Sequence, residues 1–293
     1  MSLWETISAD IEAATGHRGA LRQQGAIGGG CINQALRVDY GDSRYLVKLS
    51  SAGQVEMFAA EALGLQELQQ CNALRIPEPV CWGSDGQSSY IVMEYLDLGG
   101  HGDAAALAAG LAKLHRITRP EFGWVRDNTI GSTLQINTPA ADWIDFWRDN
   151  RLRFQLDLAA RGGYGGRLQS QGERLLAEFP QLFSDYTPAA SLLHGDLWGG
   201  NQAFTRSGEP AIFDPAVYYG DREADIAMTE LFGGFGRDFY AAYREHYPLD
   251  SGYAVRKRFY NLYHLLNHLN MFGGGYLSQA QGTLDSVLSE LSG

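Results

Sequence analysis

The sequence predicts an α+β fold of two lobes, with a five-stranded antiparallel N-terminal lobe followed by a larger, mainly helical lobe. Three observations support this prediction. Short β-prone runs separated by tight turns fill most of the first 95 residues. Apolar residues at helical spacing dominate the chain after residue 103. A Gly-rich polar motif near residue 195 lies between two short apolar β-prone runs. We therefore expect the lobes to comprise residues 1–95 and 96–293.

The predicted elements of the first lobe follow from local patterns. In chain order they are a short amphipathic helix near 4–11, three strands within 21–49, a helix over 55–71, and two strands near 80–82 and 90–93. Glycine, aspartate and serine residues at 28–30, 41–42 and 84–86 supply the turns that antiparallel strands require. Pro77 and Pro79 precede the fourth strand.

The second lobe is predicted from longer apolar stripes. Asp103 is a suitable N-cap for a helix with Leu107, Leu111 and Leu114 on one face. A second helix is expected from Asp142, with a packed stripe of Trp143, Phe146, Trp147 and Phe154. Short strands are expected at 191–193 and 211–213, and the chain from 222 to 291 should be mostly helical.

Composition narrows the possible functions. The chain has 293 residues and a formal net charge of −11, which argues against nucleic acid or an anionic membrane as its main partner. Its three cysteines form no zinc or disulfide pattern and indicate thiols in a reducing compartment. No apolar run reaches the roughly 18 residues of a membrane span, and no leader-like segment opens the sequence. We expect a cytoplasmic protein; its oligomeric state is left open.

The most informative motif is the segment from His194 to Asn201, which reads H-G-D-L-W-G-G-N. Asp196 lies five residues before Asn201, and Asp214 follows thirteen residues later at the end of a β-prone run. Phosphoryl transfer to an alcohol needs a carboxylate for the hydroxyl proton and oxygen ligands for Mg²⁺. Protein kinases carry H-R-D-x-x-x-x-N and D-F-G in the same order. Turn residues in a Gly-rich loop are the simpler interpretation, but the second carboxylate at this spacing favours catalysis.

The first lobe supplies residues suited to nucleotide phosphates. Gly28, Gly29 and Gly30 lie at a strand–strand turn, where backbone N–H groups can approach phosphate oxygens. Lys48 ends the third predicted strand, as the phosphate-binding lysine of kinases does. Glu61 in the next helix is the expected partner of Lys48, with Glu56 and Glu67 as competitors.

The residues after the fifth predicted strand form the expected adenine-binding hinge. Glu94, Tyr95 and Leu96 occupy this position, where backbone groups rather than side chains contact the base in kinases.

Taken together, these segments resemble the fructosamine kinase family, a branch of the aminoglycoside-phosphotransferase and protein-kinase-like fold. The resemblance rests on the 193–201 block, the G-G-G-C-I loop at 28–32, D-P-A-x-x-Y-G at 214–220, L-F-G-G-F at 231–235 and N-H-L-N at 267–270. It extends over nearly the whole chain. It implies an ATP- and Mg²⁺-dependent kinase that phosphorylates the 3-hydroxyl of small-molecule or protein-bound ketosamines, a deglycation repair activity.

The resemblance also implies residue roles. Asp196 becomes the catalytic base, Asn201 and Asp214 the metal ligands, and Lys48 and Glu61 the phosphate-contacting pair in the nucleotide-binding lobe. Trp198 and His268 are the candidate substrate contacts, and Asp225 is expected to steady the catalytic loop. The alternatives are a kinase for another alcohol, such as an aminoglycoside or a choline-like amine, and a pseudokinase that binds nucleotide without turnover.

Overall fold

The computed structural model describes residues 2–27 and 34–292, which divide into two compact units. Unit 1 comprises Met1–Asp103 and Gly200–Pro215, and unit 2 comprises Ala104–Gly199 and Ala216–Gly293. The lobe boundary expected after residue 95 stays a prediction. Gly28, Gly29 and Gly30 lie outside the described residues, as does Cys31.

Unit 1 is built on one antiparallel sheet. Its first chain segment contains α1 (Leu3–Thr15), β1 (Leu21–Ala26), β2 (Gln34–Tyr40), β3 (Ser43–Ser51), a 3₁₀ turn (Ala52–Gln54), α2 (Val55–Gln69), β4 (Pro79–Ser84) and β5 (Ser88–Glu94). The strands are ordered β1-β2-β3-β5-β4, and each neighbouring pair is antiparallel. The five-stranded sheet predicted from the sequence is therefore confirmed.

The two faces of this sheet carry different side chains. Val38, Val47 and Val92 are fully buried and pack with Ile7 and Ile11 of α1 on one face. Successive side chains of a strand point to opposite faces. The residue after Val47 is Lys48, which is therefore directed to the other face. The hydrophobic alternation of β3 thus decides which face of the sheet carries the lysine.

Unit 2 is mainly helical. Before the chain enters unit 1 it contains α3 (Ala104–Leu114), β6 (Thr118–Arg119), β7 (Asn128–Ile130), β8 (Thr133–Gln135), α4 (Trp143–Trp147), a π-helical segment (Arg148–Arg153), α5 (Phe154–Arg161), α6 (Arg167–Glu178), a 3₁₀ turn (Phe179–Phe183) and β9 (Ala190–Leu193). The excursion into unit 1 forms a hairpin of β10 (Gln202–Phe204) and β11 (Pro210–Ile212).

The remainder of unit 2 begins with a strand that pairs with β9. It contains β12 (Tyr218–Gly220), α7 (Arg222–Leu231), α8 (Arg237–His246), α9 (Tyr253–Phe272), a 3₁₀ turn (Gly274–Tyr276) and α10 (Leu277–Leu291). A three-stranded sheet has the order β12-β9-β6. The helical character of this region and strands β9 and β11 are confirmed; β6–β8, β10 and β12 were not predicted, because strands of two or three residues show no alternation to detect.

The helix expected from Asp142 is interrupted. Asp142 is its N-cap as predicted, but after Trp147 the backbone takes a π-helical path before α5 begins. Arg151 lies within this segment, fully buried, with its guanidinium over the rings of Phe146 and Tyr218. Phe154 is only half-buried, because the π turn rotates it away from the stripe expected from regular helical spacing.

Three buried carboxylates, those of Asp221, Glu223 and Asp225, lie at the start of α7. Asp221, the N-cap, accepts hydrogen bonds from the hydroxyls of Tyr186 (2.9 Å) and Tyr260 (2.6 Å). Glu223 accepts two hydrogen bonds from Arg256, at 2.7 and 3.1 Å. Burial raises the pKa of Glu223 to about 7. The charge of Asp221 also raises this pKa, and Arg256 lowers it.

No helix among the described residues combines the length and apolar character that crossing a membrane requires.

The raised pKa of Glu223 predicts how a substitution changes with pH. A carboxyl whose folded pKa is raised contributes stability below its unfolded pKa, near 4.5, and loses it as pH rises through 7. Gln has no such transition. We therefore expect the free energy of unfolding of Glu223→Gln, relative to wild type, to increase between pH 5 and 8 by up to roughly 3 kcal/mol.

Urea unfolding of both proteins across this pH range measures the difference. Buried histidines such as His115 and His264 act in the opposite sense, since burial lowers their pKa, but they are common to both proteins and cancel. The exposed Glu245→Gln is the matched control for the loss of one carboxyl group. If the difference in unfolding free energy between Glu223→Gln and wild type did not change with pH, the raised pKa of Glu223 would be contradicted.

Candidate active site

The loop after β9 carries the H-G-D motif, and one buried carboxylate fixes its backbone. Asp225 of α7 accepts hydrogen bonds from the N–H of His194 (2.7 Å) and of Gly195 (2.8 Å). Gly195 has a φ of +82°, and a Cβ there would lie 2.0 Å from the carbonyl oxygen of Ala216. Only glycine fits this position. The next residue in the loop is Asp196, which is half-buried, and its N–H donates to Nδ1 of His194 at 3.2 Å.

Asp225 is itself held by a chain of hydrogen bonds with a defined direction. Burial opposes ionisation of Asp225, but the bonds from His115 and the loop lower its pKa. Burial lowers the pKa of His115, which is therefore neutral. A carboxylate only accepts hydrogen bonds, so His115 donates from Nε2 to Asp225 (3.2 Å) and accepts at Nδ1 from the hydroxyl of Tyr243 (2.7 Å). Arg222 donates in turn to the Tyr243 oxygen at 3.2 Å.

The segment that follows Asp214 and Pro215 is held by side-chain amides. Asn128 donates to the carbonyl of Val217 (2.8 Å), and Gln135 donates to that of Ala216 (3.0 Å). The hydroxyl of Tyr263 donates to Oε1 of Gln135 at 2.9 Å. Both amides belong to the β7–β8 hairpin, and no pattern in the sequence predicted that this hairpin would contact residues 216 and 217.

Unit 1 brings together three of the predicted site residues. Nζ of Lys48 donates to Oε1 of Glu61 at 2.5 Å and to Oδ1 of Asp214 at 2.6 Å. Burial alone would lower the pKa of Lys48, but the charges of Asp214 and Glu61 outweigh it and raise that pKa above its ordinary value. The pKa of Glu61 is raised by burial, against the effect of Lys48. Lys48 is therefore a fully charged ammonium group fixed between two carboxyls.

Asp214 has a backbone conformation that is uncommon for a residue with a side chain. Its φ is +57°, in the left-handed region, where aspartate and asparagine are among the few tolerated residues. Its side chain is 43% exposed, although Oδ1 is paired with Lys48. Such strain is found preferentially at functional positions.

The residues present fit a magnesium ion bound together with phosphates. Nδ2 of Asn201 donates to the main-chain oxygen of Asp214 at 3.4 Å, so that Oδ1 is the Asn201 atom suited to a cation. Carboxylate and amide oxygens are hard ligands, and Mg²⁺ commonly uses one or two protein ligands plus phosphate oxygens and water. Among the described residues, no group of three or more His, Cys, Asp and Glu side chains forms a metal site complete in itself.

The residues of the expected hinge are engaged in hydrogen bonds within unit 1. The N–H of Glu94 donates to the carbonyl of Glu78 (2.8 Å) and that of Tyr95 to the carbonyl of Arg44 (3.2 Å). The carboxylate of Glu94 pairs with Arg75. The carbonyl of Leu96 accepts from Leu98 N–H at 3.0 Å. For the N–H groups of Glu94 and Tyr95 to contact adenine, their hydrogen bonds to the carbonyls of Glu78 and Arg44 would have to break.

The two candidate substrate residues lie in unit 2. The N–H of Trp198 donates to the main-chain oxygen of Asp196 at 3.2 Å, and the residue is 38% exposed. His268 lies on α9, half-buried, and its Nδ1 bonds the carbonyl of His264 at 2.7 Å. His115 and Tyr243, by contrast, were not predicted, because a single histidine or tyrosine without a spaced partner carries no pattern that marks it.

Comparison with known proteins identifies the family. The fructosamine kinase model matches residues 3–290. A protein assigned as a ketoamine kinase in Synechocystis is 44% identical over 288 residues, covering 97% of both chains. The chloroplastic protein-ribulosamine 3-kinase of Arabidopsis thaliana is 43% identical, covering 91% of this chain and 83% of its own.

Solved structures agree with this assignment. A Haemophilus somnus structure assigned as a fructosamine-3-kinase superposes with a TM-score of 0.89 at 28% identity, covering 97% of both chains. The aminoglycoside phosphotransferase APH(4)-Ia superposes with a TM-score of 0.61 at 16% identity, covering 98% of both chains, which shows a shared protein-kinase-like fold alone. By its sequence and by its structure, the chain belongs to the fructosamine kinase family.

Proposed function

We propose that this chain is an ATP-dependent kinase that phosphorylates the 3-hydroxyl of ketosamines, and so initiates deglycation of amines carrying a ribulose, erythrulose or fructose unit. The observation that carries the proposal is the family match over residues 3–290, in a chain with a buried carboxylate bracing its H-G-D loop. The relatives named ketoamine kinase and protein-ribulosamine 3-kinase support this substrate class.

The acceptor side of the reaction is assigned to Asp196. Its carboxylate binds the sugar hydroxyl and takes the proton as the hydroxyl oxygen forms its bond to the γ-phosphorus. The bond between that phosphorus and the β,γ-bridging oxygen breaks, and ADP leaves. The backbone bonds from His194 and Gly195 to Asp225 hold the loop in place, so that its geometry does not have to be organised during the reaction.

The nucleotide side is assigned to the residues of unit 1. Lys48, oriented by Glu61, binds the α- and β-phosphates through its ammonium group. Asn201 and Asp214 would hold Mg²⁺, which neutralises charge on the phosphates when it is bound. Asp214 is paired with Lys48, so a cation bound at Asp214 would compete with the Lys48 ammonium group for this carboxylate.

The division of labour predicts different effects of two substitutions. Asp196→Asn removes the proton acceptor, so we expect kcat to fall by about 10²- to 10⁴-fold with little change in nucleotide affinity. Asp214→Ala removes a metal ligand, so we expect productive binding of Mg·ATP to be lost. Steady-state kinetics and nucleotide titration measure the two effects, and the exposed Asp149→Asn is the matched control. Equal effects of both substitutions on nucleotide affinity would contradict the assignment.

The substrate class is tested by comparing acceptors. We expect kcat/KM for ribulosamines to exceed that for any aminoglycoside by at least about tenfold, or ~1.4 kcal/mol of transition-state binding. Trp198→Ala should narrow this ratio, mainly by loss of ketosamine turnover. Trp82 has a similar exposure, 37%, and Trp82→Ala is the control that should preserve the ratio. Phosphorylation of a kanamycin-type acceptor without ketosamine turnover would overturn the substrate assignment and leave a kinase.

A further inference from the structure

Five aromatic side chains of unit 2 form a partly exposed group beside the H-G-D loop, which we call the aromatic cluster. Its members are Trp198, Phe232, His268, Phe272 and Tyr276. His268 is central, with ring centroids 5.0 Å from Phe232, 5.5 Å from Phe272 and 5.1 Å from Tyr276. Trp198 contacts Phe232 edge-on at 6.5 Å. Since Trp198 is two residues from Asp196 along the chain, the cluster begins next to the proposed base.

The cluster differs from the other aromatic groups of this protein in its exposure and its partners. Phe272 is 52% exposed and Trp198 38%, whereas most large aromatic side chains are buried. Arginines lie over many other rings, for example Arg222 at 3.7 Å from the Tyr247 centroid and Arg256 at 3.9 Å from that of Tyr186. Within residues 2–27 and 34–292, no arginine or lysine lies over a ring of the cluster.

The hydrogen bonding of His268 adds a polar feature to this surface. Burial lowers the pKa of His268, so the ring is neutral. Its Nδ1 must be the protonated nitrogen, because it bonds the carbonyl of His264 at 2.7 Å and a carbonyl only accepts. The other nitrogen, Nε2, therefore carries a lone pair. The cluster thus combines the negative faces of several rings with a hydrogen-bond acceptor at His268 Nε2, which suits an N–H-bearing cation.

We infer that the aromatic cluster binds the protonated amine of the ketosamine and the first methylenes of its substituent. The inference rests on the proposed function and adds a preference among ketosamines that carry different amines. Adducts on alkyl amines, such as a lysine side chain, keep an isolated positive charge that the rings attract. Adducts on α-amino acids place a carboxylate beside the nitrogen, which the ring faces repel. The exposure of Phe272 leaves the far end of the substituent in solvent, as a protein-bound lysine requires.

The test compares two acceptors that differ at one atom, which carries the positive charge and its N–H groups in one of them and neither in the other. One is the ribulosamine formed on the side chain of Nα-acetyl-lysine; the other is its ether analogue, with oxygen in place of the amine nitrogen. We expect Phe272→Leu and Tyr276→Leu each to lower kcat/KM for the amine by roughly 3- to 30-fold, the range of a cation–π contact. For the ether, the same substitutions should change kcat/KM by less than about twofold, because leucine retains an apolar surface.

Controls separate a lost ring from a disturbed fold. Phe272→Tyr keeps the ring and should retain the preference for the amine. Trp82→Leu removes a ring of comparable exposure in unit 1 and should leave the ratio of the two acceptors unchanged. Because Phe272 is half in solvent, its substitution should leave the urea unfolding midpoint close to that of wild type.

The possible outcomes are distinct. Selective loss of the amine substrate in the leucine variants supports the inference. Equal losses for amine and ether, or no loss for either, would overturn it while ketosamine turnover by the wild type leaves the proposed function intact. No turnover of the amine by the wild type would contradict the proposed function, and the inference with it.

Discussion

The candidate active site depends on one buried charge, the carboxylate of Asp225. It is 1% exposed, and an isolated carboxylate in that environment would be too costly to keep ionised. Hydrogen bonds from His194, Gly195 and His115 compensate this cost only while the H-G-D loop keeps its conformation. Any other path of the loop would leave a buried charge without its donors, and this links the position of Asp196 to the stability of unit 2.

The same constraint extends through the helices of unit 2. The neutral state of His115 fixes the direction of its hydrogen bonds, so Tyr243 on α8 and Arg222 on α7 are tied to the loop on which Asp196 lies. Unit 1 also contains a buried charge, the ammonium group of Lys48, which is compensated by ion pairs with Glu61 and Asp214. In both units, burial makes a polar side chain depend on specific partners. In unit 1 these partners include the proposed metal ligand Asp214, and in unit 2 they include the two residues that precede the proposed base Asp196.

Sequence patterns predicted the parts of this protein that follow local rules. The five-stranded sheet and the helical remainder follow from hydrophobic periodicity, and the structure places Lys48, Glu61 and Asp214 in contact. The spacing of the H-G-D motif indicated chemistry, although the roles of individual residues stay predictions. The roles of His115 and Tyr243 could not be predicted, since their contacts join residues over 100 positions apart. Trp198 and His268 were expected as substrate contacts, but their grouping with Phe232, Phe272 and Tyr276 follows no fixed spacing.

The roles proposed for Asp196, Lys48 and Asp214 all depend on one reaction, the transfer of a phosphoryl group from ATP to the 3-hydroxyl of a ketosamine. The most direct test is the identity of the product formed from ATP, Mg²⁺ and the ribulosamine of Nα-acetyl-lysine, determined by phosphorus–proton correlation NMR. We expect one phosphorylated sugar per ADP released, with the phosphorus coupled to the proton on carbon 3 of the sugar. Release of ADP without a phosphorylated sugar, or phosphate on another oxygen, would contradict it.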